Sequence, residues 1–212
     1  MVTAKIKAVI FDMDGVLIEE KGWHFDALNK ALNLFGHEIS HYDHLVTYDG
    51  LPTIKKLEML SIDRGFPRSL HDFINTIKQQ YTMDMIYTRC KPTFNHQFAL
   101  SRLKQDGYRL GVASNSAKQT VETMMNKSAL DEYLEFKFSY QDIKNPKPDP
   151  EIYLKAIDFL DLNPKECVIV EDNENGIRAA KASGAHVLEV VGVEDVTYNN
   201  ITAKIKQVEA GL

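Results

Sequence analysis

The sequence predicts an α/β protein whose parallel sheet is interrupted early by an all-helical insert. The first observation is a short apolar run at residues 6–11, which predicts a buried strand. The second is the pattern of residues 20–90, where helical patterns follow one another without a convincing strand. The third is the chain beyond residue 92, where short apolar runs alternate with helical patterns. Such alternation is typical of parallel sheets covered by helices on both faces.

Each further element is predicted from its own apolar pattern and from the turn residues that bound it. After the first strand, strands are predicted at residues 109–113, 136–139, 167–170 and 186–190. Helices are predicted within the insert at residues 24–35, 53–65 and 69–89. Five more helices are predicted at residues 95–106, 117–127, 150–160, 175–183 and 197–208.

The change of pattern along the chain also predicts two domains. Residues 1–18 and 91–212 are expected to form the α/β core, and residues 19–90 are expected to form a helical domain inserted after the first strand. A chain of 212 residues is long enough for this division.

Composition narrows the class of protein. The formal net charge of −5 gives no sign of binding to nucleic acid or to an anionic membrane surface. No stretch approaches the length of about 18 apolar residues that a membrane span needs. The two cysteines, Cys90 and Cys167, form no CxxC pair, which argues against a structural zinc site and fits a reducing compartment. We therefore expect a cytoplasmic protein.

Polar side chains follow several of the predicted strands. The segment FDMDGVL places Asp12 and Asp14 directly after the first strand. The remaining candidates are Ser114 and Asn115 after the second strand, Glu171 and Asp172 after the fourth, and Lys147 in the loop 145–150. Because sites in open parallel sheets form beyond the carboxyl ends of the strands, we expect these groups to converge at one edge.

Four acids and one lysine at one edge would be strongly negative. A divalent cation with oxygen ligands relieves this repulsion, and magnesium is the usual choice when the other partner is a phosphate. One aspartate could then act as a nucleophile. Each group alone also has an ordinary explanation, since Glu171 and Asp172 could begin a helix and Lys147 could be a solvated loop residue. Separate ordinary explanations for all the groups together are improbable.

The segments FDMDGVL, VASNS, KPDP and VIVEDNENGIRAAKASG resemble, in this order, the four motifs of the haloacid dehalogenase superfamily. The helical insert after the first motif resembles the cap of the beta-phosphoglucomutase-like subfamily I. The resemblance covers nearly the whole chain and implies a Rossmann-like core with an inserted helical cap domain.

The resemblance assigns catalytic roles to three residues. Asp12 would be the nucleophile that forms an aspartyl-phosphate. Asp14 would protonate the leaving oxygen and then activate water. Lys147 would stabilise the phosphoryl charge, bind the phosphate and orient Asp12.

The resemblance also assigns binding roles. Ser114 would bind the transferring phosphoryl group, with Asn115 beside it. Magnesium, the implied cofactor, would be held by Asp12, by the backbone carbonyl of Asp14 and by Asp172. Glu171 would assist, directly or through a water molecule.

The function that follows is a magnesium-dependent phosphatase, an enzyme that hydrolyses a small, sugar-phosphate-like metabolite through an aspartyl-phosphate. We expect it to act as a monomer. The alternative is a phosphomutase of the beta-phosphoglucomutase type, which needs a second phosphate contact in the cap. Outside the enzymes, a phospho-accepting receiver domain or an inactive binding protein on the same fold stays open. The receiver is disfavoured by the length of the chain, and the inactive protein by the filled catalytic positions.

Two departures from the family pattern concern the cap. Glu19 and Glu20 occupy the hinge, where the family often has Asp-Ser or Asp-Thr. Thr53 occupies the position of the phosphate-binding arginine of the mutase, and Lys55, Lys56 or Lys78 could replace that arginine. Residues 19–90 carry eight Lys or Arg against ten Asp or Glu, so the cap has no overall cationic bias and hydrolysis is favoured.

Overall fold

The computed structural model describes residues 5–20 and 22–211. The chain forms two compact units. We call Met1–Glu19 together with Lys91–Leu212 the core unit, and Glu20–Cys90 the helical unit.

The core unit contains a five-stranded sheet in which every neighbouring pair of strands is parallel. The strands, in chain order, are β1 Ala8–Phe11, β2 Arg109–Ala113, β3 Phe136–Phe138, β4 Cys167–Glu171 and β5 His186–Glu189. Their order across the sheet is β3-β2-β1-β4-β5. The predicted α/β parallel-sheet class is therefore confirmed.

The helical unit contains the first four helices of the chain. They are α1 Trp23–Leu32, α2 His41–Asp43, α3 Thr53–Arg64 and α4 His71–Arg89, with a π-helical stretch, His44–Tyr48, directly after α2. The sequence patterns did not predict the short helical segments between residues 41 and 48. The unit has its own apolar core, which includes Leu28, Leu32, Leu57 and Ile74.

The helices of the core unit alternate with its strands. They are α5 Phe94–Gln105, α6 Lys118–Lys127, α7 Glu151–Phe159, α8 Glu174–Ala182 and α9 Tyr198–Glu209. Helix α7 buries Ile152, Tyr153 and Ala156 in an apolar cluster shared with β1 and β4. Among the described residues, no helix is both long enough and apolar enough to cross a membrane.

Strand β1 lies at the centre of the sheet and is buried along its whole length. A continuous apolar run of this kind is typical of a strand covered on both faces. Its last residue, Phe11, pairs with Val112 of β2 and with Val170 of β4. The residues that follow these three strands therefore leave the sheet at the same edge.

Candidate active site

A buried ion-pair network around Lys147 lies at this edge of the sheet. The Lys147 ammonium group donates to Asp12 Oδ1 at 2.5 Å and to Glu171 Oε1 at 2.7 Å, and Lys147 is only 3% exposed. Burial alone would lower the pKa of Lys147, but the Asp12 and Glu171 carboxylates outweigh that effect and the pKa is raised. The lysine is therefore a fixed positive charge between two carboxylates.

Glu171 accepts hydrogen bonds on both carboxylate oxygens. In addition to Lys147, the Tyr153 hydroxyl donates to Oε1 at 2.6 Å. The backbone N–H groups of Asp172 and Asn173 donate to Oε2 at 3.1 and 3.3 Å. With donors on each oxygen, the Glu171 carboxylate is held in a fixed orientation.

A glycine on the next helix makes room for this carboxylate. A Cβ at Gly176 of α8 would lie only 1.7 Å from Glu171 Oε1 and 2.1 Å from its Cδ. Heavy atoms cannot approach so closely, so any side chain at residue 176 must displace the Glu171 carboxylate from its donors.

Asp12 is buried at the end of β1, and its backbone N–H donates to the Val170 carbonyl. Burial raises the pKa of the Asp12 carboxyl well above its usual range, and Lys147 opposes that shift. The negative charges of Glu171, Asp14 and Asp172 raise the pKa further. A second cation beside Asp12 would therefore favour its ionised form.

Asp14 meets the loop after β2. The Ser116 hydroxyl donates to Asp14 Oδ2 at 2.6 Å, whereas the Ser114 hydroxyl is at 3.5 Å, the outer limit of a hydrogen bond. Ser114 Oγ in turn accepts from the Ser116 N–H at 3.0 Å. Ser116 was missed by sequence reasoning, although it lies two residues after Ser114 in the same motif.

Asn115 contacts the backbone of residues 144–150, which we call the lysine loop because it carries Lys147. Its side-chain oxygen accepts from the Lys147 N–H at 3.0 Å, and its side-chain NH₂ group donates to the Lys147 carbonyl at 3.2 Å. The loop is also held by Glu151, which accepts from the N–H groups of Lys144 and Asn145, both at 2.9 Å. The predicted phosphate contact of Asn115 stays a prediction; in this structure its side chain fixes the position of Lys147.

Three carboxylates are close enough to share one metal ion. Asp12, Glu171 and Asp172 each offer an oxygen within 4.8 Å of the others. The Asp172 carboxylate also lies against Gly15, where a Cβ would be only 2.1 Å from Asp172 Oδ2. An all-oxygen donor set with excess negative charge suits Mg²⁺, so the residues present fit the predicted cofactor.

The helical unit buries two of the lysines considered for a second phosphate contact. Lys56 and Lys78 are 6% and 7% exposed, whereas Lys55 is exposed and pairs with Glu58. Lys78 Nζ lies 3.0 Å from His24 Nδ1. The sequence did not indicate that two of these three lysines are buried within the helical unit.

Tyr153 is a second residue that sequence reasoning missed. It lies on α7 beside Ile152 and Ala156, a spacing that predicts only a core-facing position. Its hydroxyl contact with Glu171 joins residues 18 positions apart, and no local pattern indicates such a contact.

The sequence profile of the haloacid dehalogenase-like hydrolases matches residues 9–190. The chain belongs to this family. The superfamily resemblance carried by the four motifs is thereby confirmed.

Two of its relatives have names that describe phosphate-ester or phosphoanhydride hydrolysis. Pyrophosphatase PpaX of Bacillus mycoides is 29% identical over 201 residues, which cover 88% of this chain and 84% of the relative. A phosphorylated carbohydrates phosphatase of Thermotoga maritima is 27% identical over 185 residues, which cover 84% of this chain and 82% of the relative. These names agree with the prediction of a phosphatase-type enzyme.

Solved structures of the haloacid dehalogenase-like fold superpose on the chain. Beta-phosphoglucomutase from Clostridium difficile gives a TM-score of 0.82 at 22% identity, covering 95% of this chain and 98% of the other. CbbY from Rhodobacter sphaeroides, solved in complex with phosphate, gives a TM-score of 0.79 at 23% identity, covering 88% of this chain and 87% of the other. At these identities the likeness concerns the fold, and it confirms the predicted Rossmann-like class.

Gly176→Ala tests whether the placement of Glu171 matters. Because the new Cβ must displace the Glu171 carboxylate, we expect kcat to fall at least tenfold and the free energy of unfolding to drop by about 1–3 kcal/mol, the usual range for overpacking. Steady-state kinetics and thermal unfolding measure the two effects. Gly192→Ala is the control, since its Cβ would approach only the exposed Glu194 carboxylate, at 2.9 Å, and that side chain can move. Unchanged kcat in Gly176→Ala would contradict the importance of this geometry.

Proposed function

We propose that the protein is a magnesium-dependent phosphatase that hydrolyses a small, sugar-phosphate-like metabolite through a phosphorylated Asp12. The observation that carries the proposal is the buried contact of Lys147 with Asp12 and Glu171 at the carboxyl end of β1. The names of the relatives from Bacillus mycoides and Thermotoga maritima support the reaction class. The cysteine usage supports a cytoplasmic location, and we propose that the enzyme acts as a monomer.

In the first step, an Asp12 carboxylate oxygen attacks phosphorus, and the bond from phosphorus to the leaving oxygen breaks. Asp14 donates a proton to that oxygen, which departs as an alcohol. The Lys147 ammonium group compensates the negative charge that is spread over the phosphoryl oxygens. Ser114, at the end of β2, provides a hydroxyl for one of these oxygens.

In the second step, Asp14, now ionised, takes a proton from a water molecule that attacks the phosphorus of phospho-Asp12. The bond between phosphorus and the Asp12 oxygen breaks, so that inorganic phosphate leaves and Asp12 is regenerated. The Ser116 hydroxyl, 2.6 Å from Asp14 Oδ2, keeps the Asp14 carboxyl oriented in both steps. One residue thus serves as acid and then as base.

Magnesium would be held by the Asp12 and Asp172 carboxylates and the Asp14 backbone carbonyl, with Glu171 contributing directly or through water. When bound, it neutralises charge on the phosphoryl group and on Asp12. The close approach of the Asp12, Glu171 and Asp172 carboxylates supports this assignment.

We propose that residues 19–90 act as the cap domain that selects the substrate. Lys55, Lys56 and Lys78 are the candidates in this unit for a contact with an anionic substrate, and Lys56 and Lys78 are buried. The same lysines keep the phosphomutase alternative open, since a mutase requires a second phosphate contact.

Replacing Asp12 by asparagine tests the nucleophile. The side chain keeps its size but loses its charge and most of its nucleophilicity, so we expect turnover to fall by at least ~10³-fold while the fold stays intact. Phosphate release and circular dichroism measure the two properties. Asp158→Asn, on the exposed side of α7, is the control and should keep wild-type activity. Near-normal turnover in Asp12→Asn would refute the assignment.

Magnesium should stabilise the native state, because it relieves carboxylate repulsion that the unfolded chain does not have. At a concentration 100-fold above Kd, the expected gain is about 2.7 kcal/mol, which raises Tm by several degrees. Asp172→Asn should lose most of this increase, whereas Glu174→Gln, an exposed acid at the start of α8, should keep it. Full activity in excess chelator, or an undiminished Tm increase in Asp172→Asn, would count against the site.

Turnover in oxygen-18 water distinguishes the phosphatase from the mutase. The panel of substrates comprises phosphorylated sugars, nucleotides, small phospho acids and pyrophosphate, each with and without magnesium. If water attacks phospho-Asp12, released inorganic phosphate carries the label. Efficient isomerisation of a hexose phosphate with little phosphate release would establish the mutase reaction instead.

A further inference from the structure

Tyr153 contacts two of the three charged groups in the network around Lys147, namely Lys147 itself and Glu171. It is completely buried on α7, and its hydroxyl donates to Glu171 Oε1 at 2.6 Å. The Lys147 ammonium group lies 4.7 Å from the centroid of the Tyr153 ring. The ring thus faces the cation while the hydroxyl contacts the anion.

We propose that Tyr153 is a positioning residue for phosphoryl transfer, which holds the Lys147 ammonium group in place between Glu171 and Asp12. This inference rests on the proposed function. The residue touches neither the substrate nor the phosphoryl group, and it acts entirely through Lys147 and Glu171.

The physical argument begins with the shared acceptor. Glu171 Oε1 receives two donors, the Tyr153 hydroxyl and Lys147 Nζ, at nearly equal distances of 2.6 and 2.7 Å. The hydroxyl compensates part of the negative charge on this oxygen, and the attraction between Glu171 and Lys147 is correspondingly weaker. Lys147 can therefore maintain its contact of 2.5 Å with Asp12 Oδ1.

The ring makes a second contribution. An ammonium group over an aromatic face is attracted by the ring quadrupole, and this attraction is stronger when both groups are shielded from water. At 4.7 Å the Tyr153 ring is within the range of this interaction. It restricts lateral movement of the Lys147 side chain without competing for its hydrogen bonds.

Tyr153→Phe removes the hydroxyl and keeps the ring. Without the shared donor, Oε1 attracts Lys147 more strongly and the contact of Lys147 with Asp12 weakens. We expect kcat and kcat/KM to fall together by about tenfold, with KM changed less than twofold, as for an interaction that matters in the transition state. Tyr153→Leu removes the ring as well, and we expect a larger loss of kcat than in Tyr153→Phe.

The matched control is Tyr198→Phe. The Tyr198 hydroxyl also donates to a carboxylate oxygen, Asp106 Oδ2, at 2.6 Å, but on the surface of the core unit. The same substitution should leave kcat and KM unchanged there. All variants are assayed well below their measured Tm, so that kinetic changes are separated from stability changes.

Each outcome decides the proposal. A lower Tm with wild-type kcat in Tyr153→Phe would overturn it, because the hydroxyl would then act only in the fold. Failure of both Tyr153 variants to fold would overturn it for the same reason. If the wild-type protein hydrolyses no member of the phosphate panel, the proposed function fails, whereas activity that Tyr153→Phe leaves intact refutes the positioning role alone.

Discussion

The contact between Lys147 and the carboxylates of Asp12 and Glu171 is the interaction on which the rest of the site depends. An unpaired charge is costly to bury, and a buried pair is stable only when its remaining hydrogen-bonding capacity is also met. The core unit meets this requirement with donors from two directions. Tyr153 donates from helix α7, and the backbone of residues 172 and 173 donates from the start of the segment after β4.

The parallel sheet explains why these groups can meet. Strands β2 and β4 both pair in parallel with β1, so the carboxyl ends of all three strands lie at one edge of the sheet. Side chains that are distant in the sequence converge at this edge. The lysine loop is fixed from two sides, by the Asn115 amide and by the Glu151 carboxylate. Gly15 and Gly176 lack the Cβ atoms that would overlap with the acids. The ammonium group is consequently held by the fold and not by its own flexible stem.

Most of the architecture could be predicted because its signals are local. The apolar runs of β1, β2 and β4 and the helical periodicity of α5 to α9 each extend over only a few turns or residues. The segment between residues 41 and 48 was not predicted, because its short helical turns lack an apolar period. The hydroxyl contacts that the sequence did not predict depend on tertiary distances and not on a local pattern. Ser116 and Tyr153 carry ordinary hydroxyl groups, and only their distance from a particular carboxylate distinguishes them from other serines and tyrosines.

The sequence by itself determined the α/β class, the helical insert and the set of charged groups that follow the strands, because these depend on residue type and spacing along the chain. Only the tertiary structure decided which donor satisfies which oxygen. Lys147 and Asp12 are 135 positions apart, and their contact depends on strand order, loop bracing and side-chain packing together. The strength of a charged contact changes steeply with distance and burial, so ångström-scale placement decides the role of each group, and no spacing in the sequence encodes it.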